Sequence, residues 1–485
     1  MFLSSVNRTF FTGKLILILI LSGAHLMFLN FIMVQQLSFA IRKPFIAVIL
    51  YTLSYFLSIS IGYAFSDKLS HKNIYYLLPL LMITQMTMLI FIQPIAYALS
   101  QTFGSLSMYI ILSTIFIASS ASFGSLFLPR IIDEDKIPIL NAYRFEITGA
   151  LIALILILLL GQIGYHWIIN VYLITWILFC LLLKTPRMLT SFVVITTLIF
   201  GFNFNSWDLY AAKHFYKSYY KKRDIRDIIY RKYSIYQKVE IAETNSGEKI
   251  LLLNGRRQFT EGSFNTYSYF VALLPSLLLE KPHVAVLGCG SMSTVGRVGD
   301  KAKKIEIVDI DEEVFKASER YFKAFNRLSE FKNWTFVADD AKHFLGSRRD
   351  HFDLILHDIP PAKSRQTALT YTKEFFELVK SRLSDEGIFS ISSLTPLHEN
   401  SDYGKNMLST LTHVFEHYFA IEYRGDIYFY GGKKSMPLPT KQQLEEILKS
   451  GEKKDAVIYL GKELKPLITG GKIITLNNLS DLIYE

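Results

Sequence analysis

Seven apolar runs fill the first 206 residues, at 15–34, 45–65, 75–97, 106–128, 147–160, 167–183 and 189–204. Most are about as long as a helix needs to cross a bilayer. A chain carrying that much uninterrupted hydrocarbon cannot fold in water as one globule, so the sequence first of all requires a region of membrane helices. Arg8 and Lys14 precede the first run as they would in a signal peptide. The run is too long for one, lacks a small-residue cleavage pattern and is followed by further runs, so it reads as a retained helix. Across 485 residues the chain is 51% hydrophobic. The excess ends near residue 206, and the rest of the chain has the composition of a water-soluble domain.

Charge placement bears on orientation. Lys and Arg flank alternate runs, at Arg8 and Lys14, Lys68 and Lys72, Arg130, Lys136 and Arg144, and Lys184 and Arg187. That pattern puts the N-terminus in the cytoplasm. Seven crossings would then export the soluble half, yet Lys213, Lys217, Lys221, Lys222 and Arg223 argue that it stays inside. The expectation is an integral membrane protein with a cytoplasmic soluble half. A formal charge of +10 fits lysines and arginines on an anionic leaflet. No basic stripe with interleaved stacking aromatics marks a nucleic-acid surface. Two cysteines, Cys180 and Cys289, make no disulfide framework, and no Cys/His spacing suggests a metal. Within the apolar runs His25, Asn30, Gln85 and Glu146 are polar, and Glu146 beside Arg144 reads as a structural acid near the membrane edge. Residues 207–236 alternate aromatic and cationic side chains, as an interfacial linker would.

The soluble half is organised around Gly288-Cys289-Gly290, which ends a short β-branched run, and around Asp309, which ends a second run about twenty residues later. Glycines there let backbone approach a ligand, and an acid at the next strand tip can hold a ribose diol. Two strands at 239–243 and 249–253 read as a hairpin and begin a small sheet over 237–280. From 281 to 485 strands and helices alternate: strands at 284–287, 305–308, 335–337, 354–356 and 387–392, and helices at 294–298, 312–322 and 373–382. Acids stand at three consecutive strand ends, Asp309, Asp339 and Asp358. Nothing after Gly290 forms a second glycine cradle for a pyrophosphate, so an adenosine ligand without phosphates, an S-adenosyl compound, fits better than a dinucleotide.

These residues carry a resemblance. From Tyr236 to Phe429 the chain resembles the spermidine synthase (polyamine aminopropyltransferase) family, in Tyr236-Gln237, Leu253-Asn254-Gly255-Arg256-Arg257-Gln258, Gly288-Cys289-Gly290-Ser291, Val308-Asp309-Ile310-Asp311, Asp339, and the run from Phe352 to Asp358. Ser22-Gly23-Ala24, Asn141 with Gly149, and Thr475-Leu476-Asn477-Asn478 resemble bacterial members that fuse membrane spans to such a domain. The resemblance implies an S-adenosyl donor, S-adenosylmethionine or its decarboxylated form, held by Gln237, Gln258, Gly288, Gly290, Asp309 and Asp339. It implies Asp358 as the base for an amine acceptor, Tyr267 as a positioning hydroxyl, no metal, and a homodimer. The family's loop acid is Ser291 here, and its second aspartate after Asp358 is Pro361, so carboxylates expected to bind ammonium ends are missing. The acceptor is therefore left open between a small amine and a membrane-derived molecule. Methyl transfer from S-adenosylmethionine, and a transporter or sensor with a non-catalytic nucleoside domain, are the alternatives. His343 and His357 read as surface or core residues, not bases. The fold class expected is a multi-span α-helical membrane domain (1–206) and a linker (207–236). A small N-terminal β-sheet (237–280) and an α/β Rossmann-like domain of the S-adenosylmethionine-dependent methyltransferase type (281–485) complete it.

Overall fold

The computed structural model describes residues 13–41, 44–66, 71–119, 138–220, 224–262, 265–362, 365–392 and 402–482. The chain divides into two compact units, Met1–Asn245 and Ser246–Glu485.

Among the described residues of the first unit the apolar runs become six helices: α1 (Gly13–Ile41), α2 (Pro44–Ser66), α3 (His71–Ser119), α4 (Ile139–Ile163), α5 (Tyr165–Leu182) and α6 (Arg187–Tyr219). All six contain stretches long and apolar enough to cross a membrane. The seven expected runs are accommodated because two of them, 75–97 and 106–128, share α3, whose helix is interrupted at Gly104 with φ 81 and ψ 170. Glycine alone takes such a backbone at no steric cost. The end of the fourth run, 120–128, and the basic residues Arg8, Lys68, Arg130, Lys136, Lys221, Lys222 and Arg223 lie outside the described residues.

Helices α1 and α4 touch through backbone. A Cβ added to Gly23 would sit 1.8 Å from the Glu146 carbonyl oxygen, and one added to Gly149 1.8 Å from that of Ile20. Only residues without a side chain permit this close approach of two helix backbones. On its other faces α4 leaves Leu140, Ile155, Leu158 and Ile163 exposed. Some polar residues of the bundle are tied to one another: His25 Nδ1 lies 2.7 Å from Thr175 Oγ1, and Trp176 Nε1 donates to the Tyr172 hydroxyl at 3.1 Å.

The stretch expected as a linker holds the last turns of α6 and strand β1 (Ile225–Tyr233), which pairs antiparallel with β2 (Lys238–Thr244). A buried charge network joins the two elements. Arg231 on β1 reaches Asp208 on α6, with Nη2 2.7 Å from Oδ1, and also donates to Glu240 on β2. Tyr216 of α6 donates to Glu240 as well. Lys238, 1% exposed, donates to Gln93 Oε1 at 3.1 Å and lies 3.5 Å from Glu240. Two acids and two bases therefore neutralise one another out of water, the condition under which buried charge is tolerated.

The second unit opens with β3 (Lys249–Leu253) antiparallel to β4 (Arg256–Thr260). A helical segment follows: α7 (Asn265–Ser268), a π-helical turn (Tyr269–Leu273) and α8 (Leu274–Leu277). Then come β5 (His283–Leu287), α9 (Ser293–Val298), β6 (Lys304–Asp309), α10 (Glu312–Phe322), β7 (Trp334–Ala338), α11 (Ala341–Ser347) and β8 (Phe352–His357). The remainder is α12 (Arg365–Ala368), α13 (Lys373–Arg382), β9 (Leu383–Ser392), α14 (Asp402–Val414), β10 (His417–Tyr423), β11 (Asp426–Gly432), α15 (Lys441–Ser450) and β12 (Val457–Leu460). One eight-stranded sheet takes the order β12-β10-β11-β9-β8-β5-β6-β7. Strands β9, β8, β5, β6 and β7 are parallel, and β11, β10 and β12 continue antiparallel. Val284, Ala285, Val286 and Leu287 are fully buried, as strands covered on both faces require. From β5 the chain winds one way to β6 and β7, then returns to place β8 and β9 on the other side. The reversal falls between β5 and β8, and a crevice at such a switch point, outside the carboxyl ends of the strands, is where open α/β sheets bind ligands.

Candidate functional site

The glycine loop stands at that crevice. Gly288 has φ 88, and a Cβ there would meet the Asp358 carbonyl oxygen at 2.6 Å. The contact is held from both sides, since Gly288 N–H donates to Val308 O at 2.7 Å and Asp358 N–H to Leu287 O at 2.8 Å. Gly290, φ 42, serves differently: a Cβ there would have nothing within 4 Å. One glycine lets two strand tips touch; the other leaves backbone open to whatever lies beyond it.

Acids after strands are often only helix caps, and here the two duties are divided between neighbours. Asp311 caps α10, accepting from Glu313 N–H at 3.1 Å, and Asp340 caps α11, accepting from Lys342 and His343 N–H at 2.9 and 3.1 Å. Asp309 and Asp339, just before them, are not caps. Asp309 Oδ2 accepts from Cys289 N–H and Oδ1 from Asp311 N–H, both at 2.8 Å. The Cys289 thiol is a third donor to this carboxylate, which keeps acceptor capacity for a ligand hydroxyl. Burial pushes this carboxyl up, against the pull of those two N–H donors. Asp339 lies on the same edge, its N–H donating to Asp309 O at 3.1 Å. Its carboxylate accepts from Asp340 N–H at 2.8 Å and meets His343 Nδ1 at 2.8 Å.

Asp358, half-buried at the tip of β8, is held by two hydroxyls. Tyr267 of α7 donates to Oδ1 at 2.9 Å, and Thr294 of α9 to Oδ2 at 2.7 Å. Helix α13 is capped by Thr372, which accepts from Phe375 N–H at 3.3 Å, so Asp358 is not its cap. Burial pushes the Asp358 carboxyl up to about 7, against the Thr294 and Tyr267 hydrogen bonds, and the Asp309 charge adds to the rise. Burial and the Asp358 carboxylate together hold the Tyr267 phenol well above its usual range, so it stays a donor.

Thr294 is a site residue that the sequence marks only as a hydroxyl in the helix turn after the glycine loop. Tyr371 is another: its hydroxyl donates to the carbonyls of Ile359 and Pro360 at 3.0 and 3.2 Å and fixes the chain leaving Asp358. Nothing near it in sequence announces that. His357 is a core residue. Burial lowers it to about 4, and Nε2 lies 3.1 Å from Thr370 O, so the neutral ring donates there. His343 is exposed, yet it pairs with Asp339. Gln258 is half-buried on β4, next to Phe259, whose ring packs against Phe322 at 5.0 Å. Gln237 belongs to the other unit, between β1 and β2, where its carbonyl accepts from Ser234 N–H at 2.9 Å. The structure thus gathers Gly288, Gly290, Asp309, Asp339, Asp358 and Tyr267 along one edge of the large sheet. Among the described residues no group of three His, Cys, Asp or Glu side chains could hold a metal ion.

Residues 265–437 match the family model of the spermine/spermidine synthase domain. The polyamine aminopropyltransferase of Methanocaldococcus jannaschii is 29% identical over 187 residues, covering 38% of this chain and 63% of that protein. That of Leptospira interrogans is 29% identical over 279 residues, covering 53% of this chain and 54% of its own. The chain thus spans less than two thirds of either relative. The crystal structure of spermidine synthase from Thermotoga maritima aligns with a TM-score of 0.39 at 18% identity, over 53% of this chain and 84% of that one. The second half of this chain carries a spermine/spermidine synthase domain, homologous to the polyamine aminopropyltransferases.

Proposed function

We propose that the protein is a membrane-anchored aminopropyltransferase that uses decarboxylated S-adenosylmethionine as donor and an amine as acceptor, with its soluble half in the cytoplasm. The observation that carries the reading is Asp358: a half-buried carboxyl at the switch point, aimed by Tyr267 and Thr294 and raised to about 7. A base is most useful when its pKa lies near working pH. An ammonium must lose a proton before its nitrogen can attack, and the Asp358 carboxylate takes it. The nitrogen then bonds to the carbon beside the sulfonium, the carbon–sulfur bond breaks, and sulfur keeps the electron pair as a neutral thioether. Holding nucleophile and carbon in line is the other requirement, and Tyr267, itself fixed on Asp358, supports it from the acceptor side. The lone pairs of Asp309 suit the donor's ribose, the open face of Gly290 its close approach, and Asp339 its base. The relatives' names support the reaction class, and the six apolar helices support the anchor.

Product analysis tests the reading. Detergent-solubilised protein given decarboxylated S-adenosylmethionine and a panel of amines is expected to release methylthioadenosine. Release of S-adenosylhomocysteine from S-adenosylmethionine would move the assignment to methyl transfer, and binding without either product would leave a sensor. Separately, Asp309→Ala is expected to weaken donor affinity about 10- to 100-fold, the worth of hydrogen bonds to a charged group. Isothermal titration measures this, with thermal unfolding run alongside; an unchanged affinity overturns the ribose assignment.

A further inference from the structure

Helix α4 carries an acid into its apolar length. Glu146 lies seven residues past Ile139, roughly 10 Å along the axis, and helix side chains lean toward the N-terminal end. The carboxyl therefore stands near the level where α4 would enter a bilayer. It is fifteen residues, roughly 22 Å of helix, before Gly161. A Cβ on Gly161 would lie 3.4 Å from Ile235, between β1 and β2. Glu146 thus belongs to the end of the helices away from that hairpin. The close approach of Gly23 to the Glu146 carbonyl oxygen holds its backbone against α1.

Three helices meet around the carboxyl. Ser22 of α1 stands beside it, and the phenols of Tyr55 and Tyr63 on α2 lie within its electrostatic reach. Ser22 Oγ is 1% exposed, yet among the described residues it closes no hydrogen bond, with Glu146 or with any other group. Glu146 is half-buried and has no ion pair among them. Arg144 is no partner, because two residues away on a helix it points to another face, where it is exposed. A buried hydroxyl without a partner and a carboxylate drawn from water without a cation both lack compensation. Alongside, Ile147, Leu151, Leu154 and Leu158 form an exposed row at helical spacing, running from Glu146 toward the hairpin end.

We propose that Glu146 and Ser22 bind the primary ammonium of a membrane lipid, in the leaflet away from the hairpin. This rests on the reading of the helices as membrane spans and is independent of the chemistry at Asp358. A primary ammonium has three N–H donors. The Glu146 carboxylate and Ser22 Oγ accept two of them, the first as a charge-assisted bond of about 2.7–2.9 Å, and the faces of Tyr55 and Tyr63 suit a cation. The lipid's phosphate finds donors as well, since the exposed phenols of Tyr63 and Tyr143 lie close to each other at this end. Its acyl chains follow the row from Ile147 to Leu158 into the hydrocarbon, a row for which a soluble amine has no use. A quaternary ammonium has no N–H and can use neither oxygen as an acceptor.

The test is equilibrium binding of short-chain phosphatidylethanolamine and phosphatidylcholine to the full-length protein in non-ionic detergent, counted by native mass spectrometry, for the unaltered chain, Glu146→Gln and Ser22→Ala. The unaltered protein is expected to hold the ethanolamine lipid about 10- to 100-fold tighter than the choline lipid, the worth of hydrogen bonds to a charged group. Glu146→Gln should reduce that preference to about threefold or less, and Ser22→Ala should reduce it by about threefold. Equal binding of the two lipids by the unaltered protein, or a preference that survives in Glu146→Gln, overturns the inference. Displacement of the lipid by n-butylamine at equal concentration overturns the lipid assignment. An unchanged unfolding temperature shows that the isosteric Glu146→Gln is folded. Release of the protein from membranes by alkaline carbonate alone would overturn the membrane reading and this site with it, whereas a missing preference in a protein that needs detergent overturns the site alone.

Discussion

Asp358→Asn is expected to lower aminopropyl transfer about 10²- to 10⁴-fold, the usual worth of a well-placed base. Asparagine keeps the shape; its oxygen can still accept from one of the two hydroxyls, Tyr267 or Thr294, while its NH2 donates to the other, so donor affinity should hold within about twofold. It cannot take a proton. A pH profile separates this role from a structural one. With the folded-state carboxyl raised to about 7, the side chain is protonated and useless as a base below that value. In the unaltered protein kcat/KM should therefore climb as pH rises through about 7. In Asp358→Asn that limb should vanish, leaving only the acceptor's own ionisation. A variant that keeps full turnover, or the same limb, would remove Asp358 from the chemistry.

Gly288→Ala is the second large effect. Alanine at φ 88 leaves the region open to side chains, and its methyl would lie 2.6 Å from the Asp358 carbonyl oxygen. Left-handed backbone costs about 1–2 kcal/mol and overpacking about 1–3 kcal/mol, a large share of a domain's net stability. Relief comes only by parting the tips of β5 and β8, which displaces Asp358 from Thr294. The expected result is a destabilised domain that no longer binds the donor, read by denaturant unfolding and by titration. Gly290→Ala is the control, because its methyl points into open space. It should fold with a cost of about 1–2 kcal/mol and lose donor binding alone. If Gly288→Ala folds and binds as the unaltered protein does, the close contact is not what holds the crevice.

Much of the second unit is legible residue by residue. The helices at 312–322 and 373–382 and the strand tips at Leu287, Asp309, Ala338 and His357 follow from local pattern, because a buried parallel strand is apolar on both faces and an acid marks its end. The division between Asp309 and Asp311 is less so: both are acids at a strand tip, and only the hydrogen bond to Glu313 tells cap from site. Thr294 and Tyr371 are invisible for a stronger reason. Their partners lie 64 and 12 residues away, and no local periodicity encodes which carboxylate a hydroxyl will meet. In the first unit composition reveals helices but not their breaks, since Gly104 differs from a harmless helix glycine only by its backbone angles.

The charge network around Arg231 bears on where this protein can be cut. Severing the chain at 221–223 would free everything after the last apolar helix, and composition alone recommends that point. The released piece would keep Arg231, Lys238 and Glu240 but lose Asp208, Tyr216 and Gln93. Two positive charges would then share one acid on a surface shaped to be dry. Such a fragment would begin with a hairpin seeking its helices, prone to stick to detergent, to membrane or to itself. High salt would not prise β1 and β2 from intact α6 either, because screening acts weakly on charges hidden from solvent. The first hairpin thus draws part of its stability from the helices.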